Sequence, residues 1–312
     1  MPFQYHIADV FTDTPFGGNQ LAVLPDARGL TTEQMMSITR EFNFSETVFV
    51  LPPENTAHTR RVRIFTPESE LPFAGHPTVG CALVLAATGE IAMTGEETRI
   101  VLEEGVGLVR VLIRAKHGKP VFAQLTAAKI PERGPGSYDA NTIAPVLSLS
   151  PDDLYDDEPY AIEPWSAGVP YLYVPVRTLE ALGRARIKLD LWEKVLRGTW
   201  APEVFLFVEE EFSAHRNGVR EGNSVLRARM FAPTLGIPED PATGSAAASF
   251  GGYMAARSSL TEGMLRYRIH QGVEMGRPSR MEVEVDLSAG RVAAVRVGGA
   301  SVLVASGELQ VP

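Results

Sequence analysis

The chain has 312 residues, is 45% hydrophobic and 21% charged, and carries a formal net charge of −9. That length suits two domains of roughly 100–200 residues each, and the acidic balance argues against binding to nucleic acid or an anionic membrane surface. The one cysteine, Cys81, excludes an internal disulfide scaffold.

In chain order, FQYHIADVF alternates as a strand does, and FGGNQLAVLP follows as a glycine turn and a second strand. LTTEQMMSITREFN predicts a helix: Thr31 and Gln34 form a capping-box pattern, and Met35, Ile38 and Phe42 recur at helical spacing. SETVFVLPP and TRRVRIFTP are expected as strands. HPTVGCALVLAATGE has proline near its start, Gly89 past its end, and apolar residues almost all round, so it predicts a buried helix. TRIVLEEGVGLVRVLIRA predicts two strands about Glu104–Gly105, and VFAQLTA a third.

IPERGPGSYDAN, residues 130–141, has the composition of a linker and divides the chain into 1–130 and 131–312, with the last strand able to join the first domain. Beyond it, GVPYLYVPV, EVFLFVEEE and RARMFAP predict strands, with a helix near LDLWEKVLRG. SAAASFGGYMAA predicts a helix of small residues. MEVEVDLS predicts a strand, and AAVRVGGASVLVASGEL a hairpin about Gly298–Gly299. Strands and short helices mix without strict alternation, so the expected class is α+β. No apolar run approaches the ~18 residues of a membrane span, and MPFQYHIADVF lacks the basic and apolar regions of a signal peptide. The expectation is a soluble cytoplasmic protein.

The two halves echo each other. Arg63 and Phe65 match Arg229 and Phe231 at a spacing of 166; Glu70, Pro72 and Gly75 match Glu239, Pro241 and Gly244 at 169. Both copies read strand, E-x-P-x-x-G loop, apolar helix. Two related domains would bring two helix starts, Gly75–His76 and Gly244–Ser245, to a cleft. There their main-chain N–H groups favour an anion such as a carboxylate.

NFSETVFV, residues 43–50, sets Glu46 at the mouth of an apolar strand, where burial costs a carboxylate dearly unless it is paired or its pKa rises. By itself this also suits a glutamate facing solvent. His76 suits a structural histidine as well as a ligand contact, Asp240 a helix cap, and Asn19 a turn. No P-loop, dinucleotide fingerprint, nucleophile elbow or H-E-x-x-H pair is present, so metal and cofactor chemistry has no motif behind it.

FGGNQLAV, NFSETVFV, IFTPESELPFAGHPTVG and EDPATGSAA, in this order, closely resemble the phenazine biosynthesis PhzF-like isomerase family. The resemblance implies a diaminopimelate epimerase-like fold: two pseudo-symmetric domains, each a curled, mostly antiparallel sheet around a central helix. It implies a homodimer without a cofactor. It maps the acid/base onto Glu46, and the other site residues onto His76 and Asp240, with Asn19, Gly75, Gly244 and Ser245 in substrate binding. The family's usual G-N-P reads G-N-Q here, with Gln20. The related epimerases hold a cysteine at each helix start; here Cys81 lies inside the helix, which does not support a thiol mechanism. The expected activity is cofactor-independent proton transfer between carbons of a small carboxylate-bearing substrate in the interdomain cleft. Two other readings stay open: an idle small-acid binder, and an epimerase acting at one carbon with Asp240 or His76 as second acid/base.

Overall fold

The computed structural model describes residues 2–157, 159–210 and 224–311. The chain forms two compact units, Met1–Ala128 with Val297–Pro312, and Lys129–Arg296. The fold is α+β and dominated by strands.

Unit 1 runs β1 (Pro2–Val10), β2 (Asn19–Leu24), α1 (Thr32–Phe42), β3 (Glu46–Leu51), β4 (Arg60–Phe65), β5 (Glu70–Leu71), α2 (Gly75–Ala87), β6 (Glu97–Glu104), β7 (Gly107–Lys116) and β8 (Lys119–Thr126). Unit 2 runs β9 (Glu132–Arg133), α3 (Ala140–Ile143), β10 (Glu163–Ser166), β11 (Pro170–Pro175), α4 (Leu179–Arg184), α5 (Leu189–Val195), β12 (Glu203–Glu209), β13 (Ser224–Ala232), β14 (Ile237–Asp240), α6 (Gly244–Ala255), β15 (Gly263–Gln271) and β16 (Ser279–Ser288). The chain re-enters unit 1 within β17 (Arg291–Gly299) and ends in β18 (Ser301–Gln310), which pairs antiparallel with β1. Of the EVFLFVEEE stretch, Glu211 lies outside the described residues.

The pairing repeats between units. In unit 1, β1 is antiparallel to β2, β2 parallel to β3, β3 antiparallel to β4, β4 parallel to β6, and β6 antiparallel to β7. In unit 2 the same sequence of senses joins β10, β11, β12, β13, β15 and β16. In each unit a short strand, β5 or β14, folds back on its neighbour just before the central helix.

Each sheet packs one face on that helix. Residues Gly75–Ala86 of α2 are all buried, against β1, β2, β3, β7, β8 and β18. A helix apolar all round needs such a wrapping, because every face must leave water. In unit 2, Phe205 and Phe207 of β12 point at α6, their rings 5.9 and 4.9 Å from that of Phe250. Such a buried ring contributes roughly 1.5–3 kcal/mol. The alternate residues Val204 and Leu206 face outward, into a layer with Ile143, Leu182 and Trp192. In unit 1 the outer layer is α1, whose Met35 and Ile38 meet Phe49 and Phe65. The Thr31–Gln34 capping box of α1 forms in both directions.

Several stretches depart from the sequence reading. Gly298 and Gly299 lie inside β17 rather than at a turn; a Cβ at Gly298 would sit 2.6 Å from the Phe122 ring and 2.7 Å from the Ala123 carbonyl, so close backbone approach explains this glycine. Residues 130–141 are built into unit 2, where Arg133 pairs with Trp165 and Gly134 lies under the Trp200 ring. The strand β15 was not anticipated, since charged residues alternate through GMLRYRIHQ on its outward side.

Candidate active site

Unit 1 gathers three polar side chains at the amino end of α2. Asn19 opens β2, Glu46 opens β3 and His76 is the second residue of α2. They are 2%, 8% and 3% exposed, so all three have left water. Gly18 makes the approach to Asn19 possible: its φ is +62°, and a Cβ there would meet the Val10 carbonyl at 2.3 Å. Glu46 stands beside Leu21 in the parallel pairing, and Leu21 reaches toward Gly80 of α2, so both side chains lie on the helix-facing side.

Glu46 Oε2 comes within 3.5 Å of His76 Nε2 and makes no hydrogen bond. Burial pushes this carboxyl up to about 7, and the Ser45 hydroxyl holds it back from rising further. The single Ser45 Oγ proton can turn instead to Asn19 Oδ1, 3.1 Å away, while Asn19 Nδ2 lies 3.3 Å from His76 Nδ1. With the carboxamide so oriented, Nδ1 accepts, and the proton of a neutral imidazole sits on Nε2, toward Glu46. Ala74, the N-cap of α2, supplies no side-chain cap.

Unit 2 repeats the frame with different chemistry. Asp240 ends β14, is buried, and accepts from Thr243 Oγ1 at 2.5 Å. Gln271 Nε2 donates to the Asp240 carbonyl at 2.7 Å and to Thr243 Oγ1 at 3.0 Å. The N-cap of α6 is Thr243, not Asp240, and it makes no side-chain capping bond. Gly244 begins the helix, and Ser245 Oγ lies 2.7 Å from the Tyr171 hydroxyl.

Glu46, His76, Asn19 and Gly75 thus meet within unit 1, and Asp240, Gly244 and Ser245 within unit 2. Ser45, Tyr171, Thr243 and Gln271 escaped the sequence reading. Ser45 was legible as the neighbour of Glu46, and Tyr171 as a helix-facing residue of an alternating strand. Thr243 and Gln271 are 28 residues apart, and nothing local joins them. Cys81 is fully buried inside α2, where burial pushes its thiol well above the ordinary range. Among the described residues, no three His, Cys, Asp or Glu side chains cluster as metal ligands would.

The family model for phenazine biosynthesis-like proteins, PhzC-PhzF, matches residues 8–307. The chain belongs to the PhzC-PhzF family. An uncharacterised isomerase of Mesorhizobium japonicum is 42% identical over 98% of both chains. The trans-2,3-dihydro-3-hydroxyanthranilate isomerase of Pseudomonas aeruginosa is 32% identical over 97% of this chain and 98% of its own. A Bacillus anthracis phenazine biosynthesis protein of the PhzF family superposes with a TM-score of 0.84 at 25% identity, covering all of both chains. A hydroxyproline epimerase from Agrobacterium vitis shares the fold, with a TM-score of 0.63 at 15% identity over 99% of this chain and 91% of its own. This PhzF-family chain therefore has the diaminopimelate epimerase-like fold and is an enzyme of the isomerase class.

Proposed function

We propose that Glu46 is the acid/base of a cofactor-independent isomerase that moves a proton between carbons of a small carboxylate-bearing substrate held in a cleft between the two units. The observation that carries this reading is the state of Glu46: buried, without a hydrogen bond at Oε2, 3.5 Å from His76, and raised to about 7. A group that takes a proton from carbon and returns it works best with a pKa near the working pH, and desolvation supplies that here. His76, polarised through Asn19, steadies the negative charge of Glu46 or passes the proton on. The uncapped starts of α2 and α6 support a role for Gly75, Gly244 and Ser245 in holding the substrate carboxylate. Asp240 orients a polar substituent or assists reprotonation.

The substrate class follows from the Pseudomonas relative, whose name specifies a dihydro-hydroxyanthranilate; a cyclic acid of that kind is the first to test. Incubated with that compound and a panel of cyclic and amino-acid-like acids in deuterated water, the enzyme incorporates deuterium at the carbon that receives the proton. Double-bond migration in the product supports the reading. Inversion at one carbon replaces it with epimerisation, and binding without any exchange replaces it with an idle binder. The family resemblance adds a cytoplasmic homodimer to the proposal, expected at twice 33.9 kDa by light scattering. No described helix is long and apolar enough to cross a membrane.

A further inference from the structure

The strand register gives Glu46 a counterpart. In unit 1, β3 lies parallel to β2 with Glu46 opposite Leu21, and its next residue Thr47 lies opposite Phe65 of β4. In unit 2, β12 lies parallel to β11 with Glu203 opposite Tyr171, and its next residue Val204 lies opposite Phe231 of β13. Phe65 and Phe231 are the matched phenylalanines of the repeat, so Glu203 occupies in unit 2 the place of Glu46 in unit 1. Each is the first residue of its strand, on the face toward the central helix. Parity confirms that face: Phe205 and Phe207, two and four residues on, meet the Phe250 ring of α6. The neighbouring Tyr171 reaches Ser245 in the first turn of that helix.

Glu203 is 2% exposed, and neither carboxylate oxygen makes a hydrogen bond. The Thr234 main-chain N–H approaches and offsets only part of the effect of burial, which raises the carboxyl to about 8. A buried polar group left in this condition costs stability, and folded proteins keep few of them unless a ligand or a task needs them. No cation of the described residues pairs with it. The missing partners are a donor to its carbonyl oxygen and an acceptor for the proton it holds.

We propose that Glu203 is a substrate-contacting residue that accepts from an amine or hydroxyl carried on the substrate beside its carboxylate. This rests on the proposed placement of the substrate carboxylate at the starts of α2 and α6. The position in unit 2 that matches Glu46 then selects a ring or chain bearing a donor. A residue kept for a ligand is also expendable to the empty fold.

The test measures binding of benzoate, anthranilate and 3-hydroxybenzoate by calorimetry to the wild type, Glu203→Leu and Glu203→Gln, with a melting temperature for each protein. Wild type should hold at least one donor-bearing acid about tenfold more tightly than benzoate, the size of one hydrogen bond to a buried carboxyl. Glu203→Leu should remove that preference while leaving benzoate unchanged, and should raise the ligand-free melting temperature by about 2–4 °C. A wild-type preference for anthranilate over 3-hydroxybenzoate identifies the amine; a preference for the donor-bearing acids kept in Glu203→Leu overturns the assignment. So does equal binding of all three acids by wild type, or a lowered melting temperature in both variants, which would mark a structural role. Deuterium exchange that depends on Glu46 survives any of these failures, so the proton-transfer reading is judged separately.

Discussion

At the scale of single residues, the candidate site depends on how few partners surround Glu46. Among the described residues, Ser45 is the group that lowers its pKa against burial. Ser45→Ala should therefore raise it above about 7, and the acid limb of the exchange-rate profile should move to higher pH, since the base must be ionised to accept a proton. An unmoved limb would remove Glu46 from that profile. Ser45 also orients Asn19, which meets His76 Nδ1 at 3.3 Å. Asn19→Leu should slow exchange by about 10–100-fold through loss of imidazole orientation, as such supporting partners do. The melting temperature of that variant separates orientation from unfolding.

At the scale of elements, the repeat uses one device twice in different surroundings. Arg63 forks onto Glu70 at 2.6–2.7 Å and lies 5.0 Å from the Phe65 ring centroid; Arg229 forks onto Glu239 at 2.7–2.8 Å and lies 5.0 Å from that of Phe231. The first pair is partly exposed, at 19% and 40%, whereas Arg229 is 3% exposed and also holds the Leu182 and Ala185 carbonyls. Glu239→Gln, which leaves a buried cation without its counter-charge, should cost about 3 kcal/mol in urea unfolding. Glu70→Gln should cost about 1 kcal/mol or less. Similar losses would show that burial does not set the difference. These elements also show what sequence carried. The Arg-x-Phe strands and E-x-P-x-x-G loops were legible because each is local and repeated, and α2 because an apolar helix with proline at one end and glycine at the other has few alternatives. Within the site, Glu46 and His76 belonged to quotable stretches. Glu203 did not stand out, because EVFLFVEEE shows a charge at the start of a strand and only the register with β11 reveals its burial. Gly298 was misplaced because glycine serves turns and close packing equally, and composition does not distinguish them.

At the scale of the whole molecule, three buried carboxyls among the described residues act in the same direction. Glu46 is raised to about 7, and Glu104 and Glu203 to about 8, each chiefly by burial. Thr78 Oγ1 lies 2.8 Å from Glu104 Oε1 and 2.7 Å from the Ala74 carbonyl, so both contacts are full hydrogen bonds when a protonated Glu104 donates to Thr78 and Thr78 donates to Ala74. A folded pKa above the unfolded value means that the folded state holds protons the unfolded chain has released. Stability from these groups is fullest below about pH 4.5 and declines as pH rises toward 8. Urea midpoints should fall between pH 5 and 8 by the equivalent of about 3 kcal/mol or more, each raised unit being worth about 1.4 kcal/mol. Glu104→Gln should flatten part of that slope. Glu103 works oppositely: the Glu54 and Asn55 amides and His58 hold it at about 2, so its contribution is lost only as pH falls toward that value. A midpoint that rises from pH 5 to 8 would mean that these three groups are ionised in the folded state. The central claim, that a sheltered glutamate carries the proton, is tested most directly by comparing wild type with Glu46→Gln in deuterated water on a substrate that turns over. Glu46→Gln, folded to the same melting temperature or higher, should lose at least about 100-fold of the rate of deuterium incorporation, the scale of a general acid–base group. Incorporation at the wild-type rate would contradict the account.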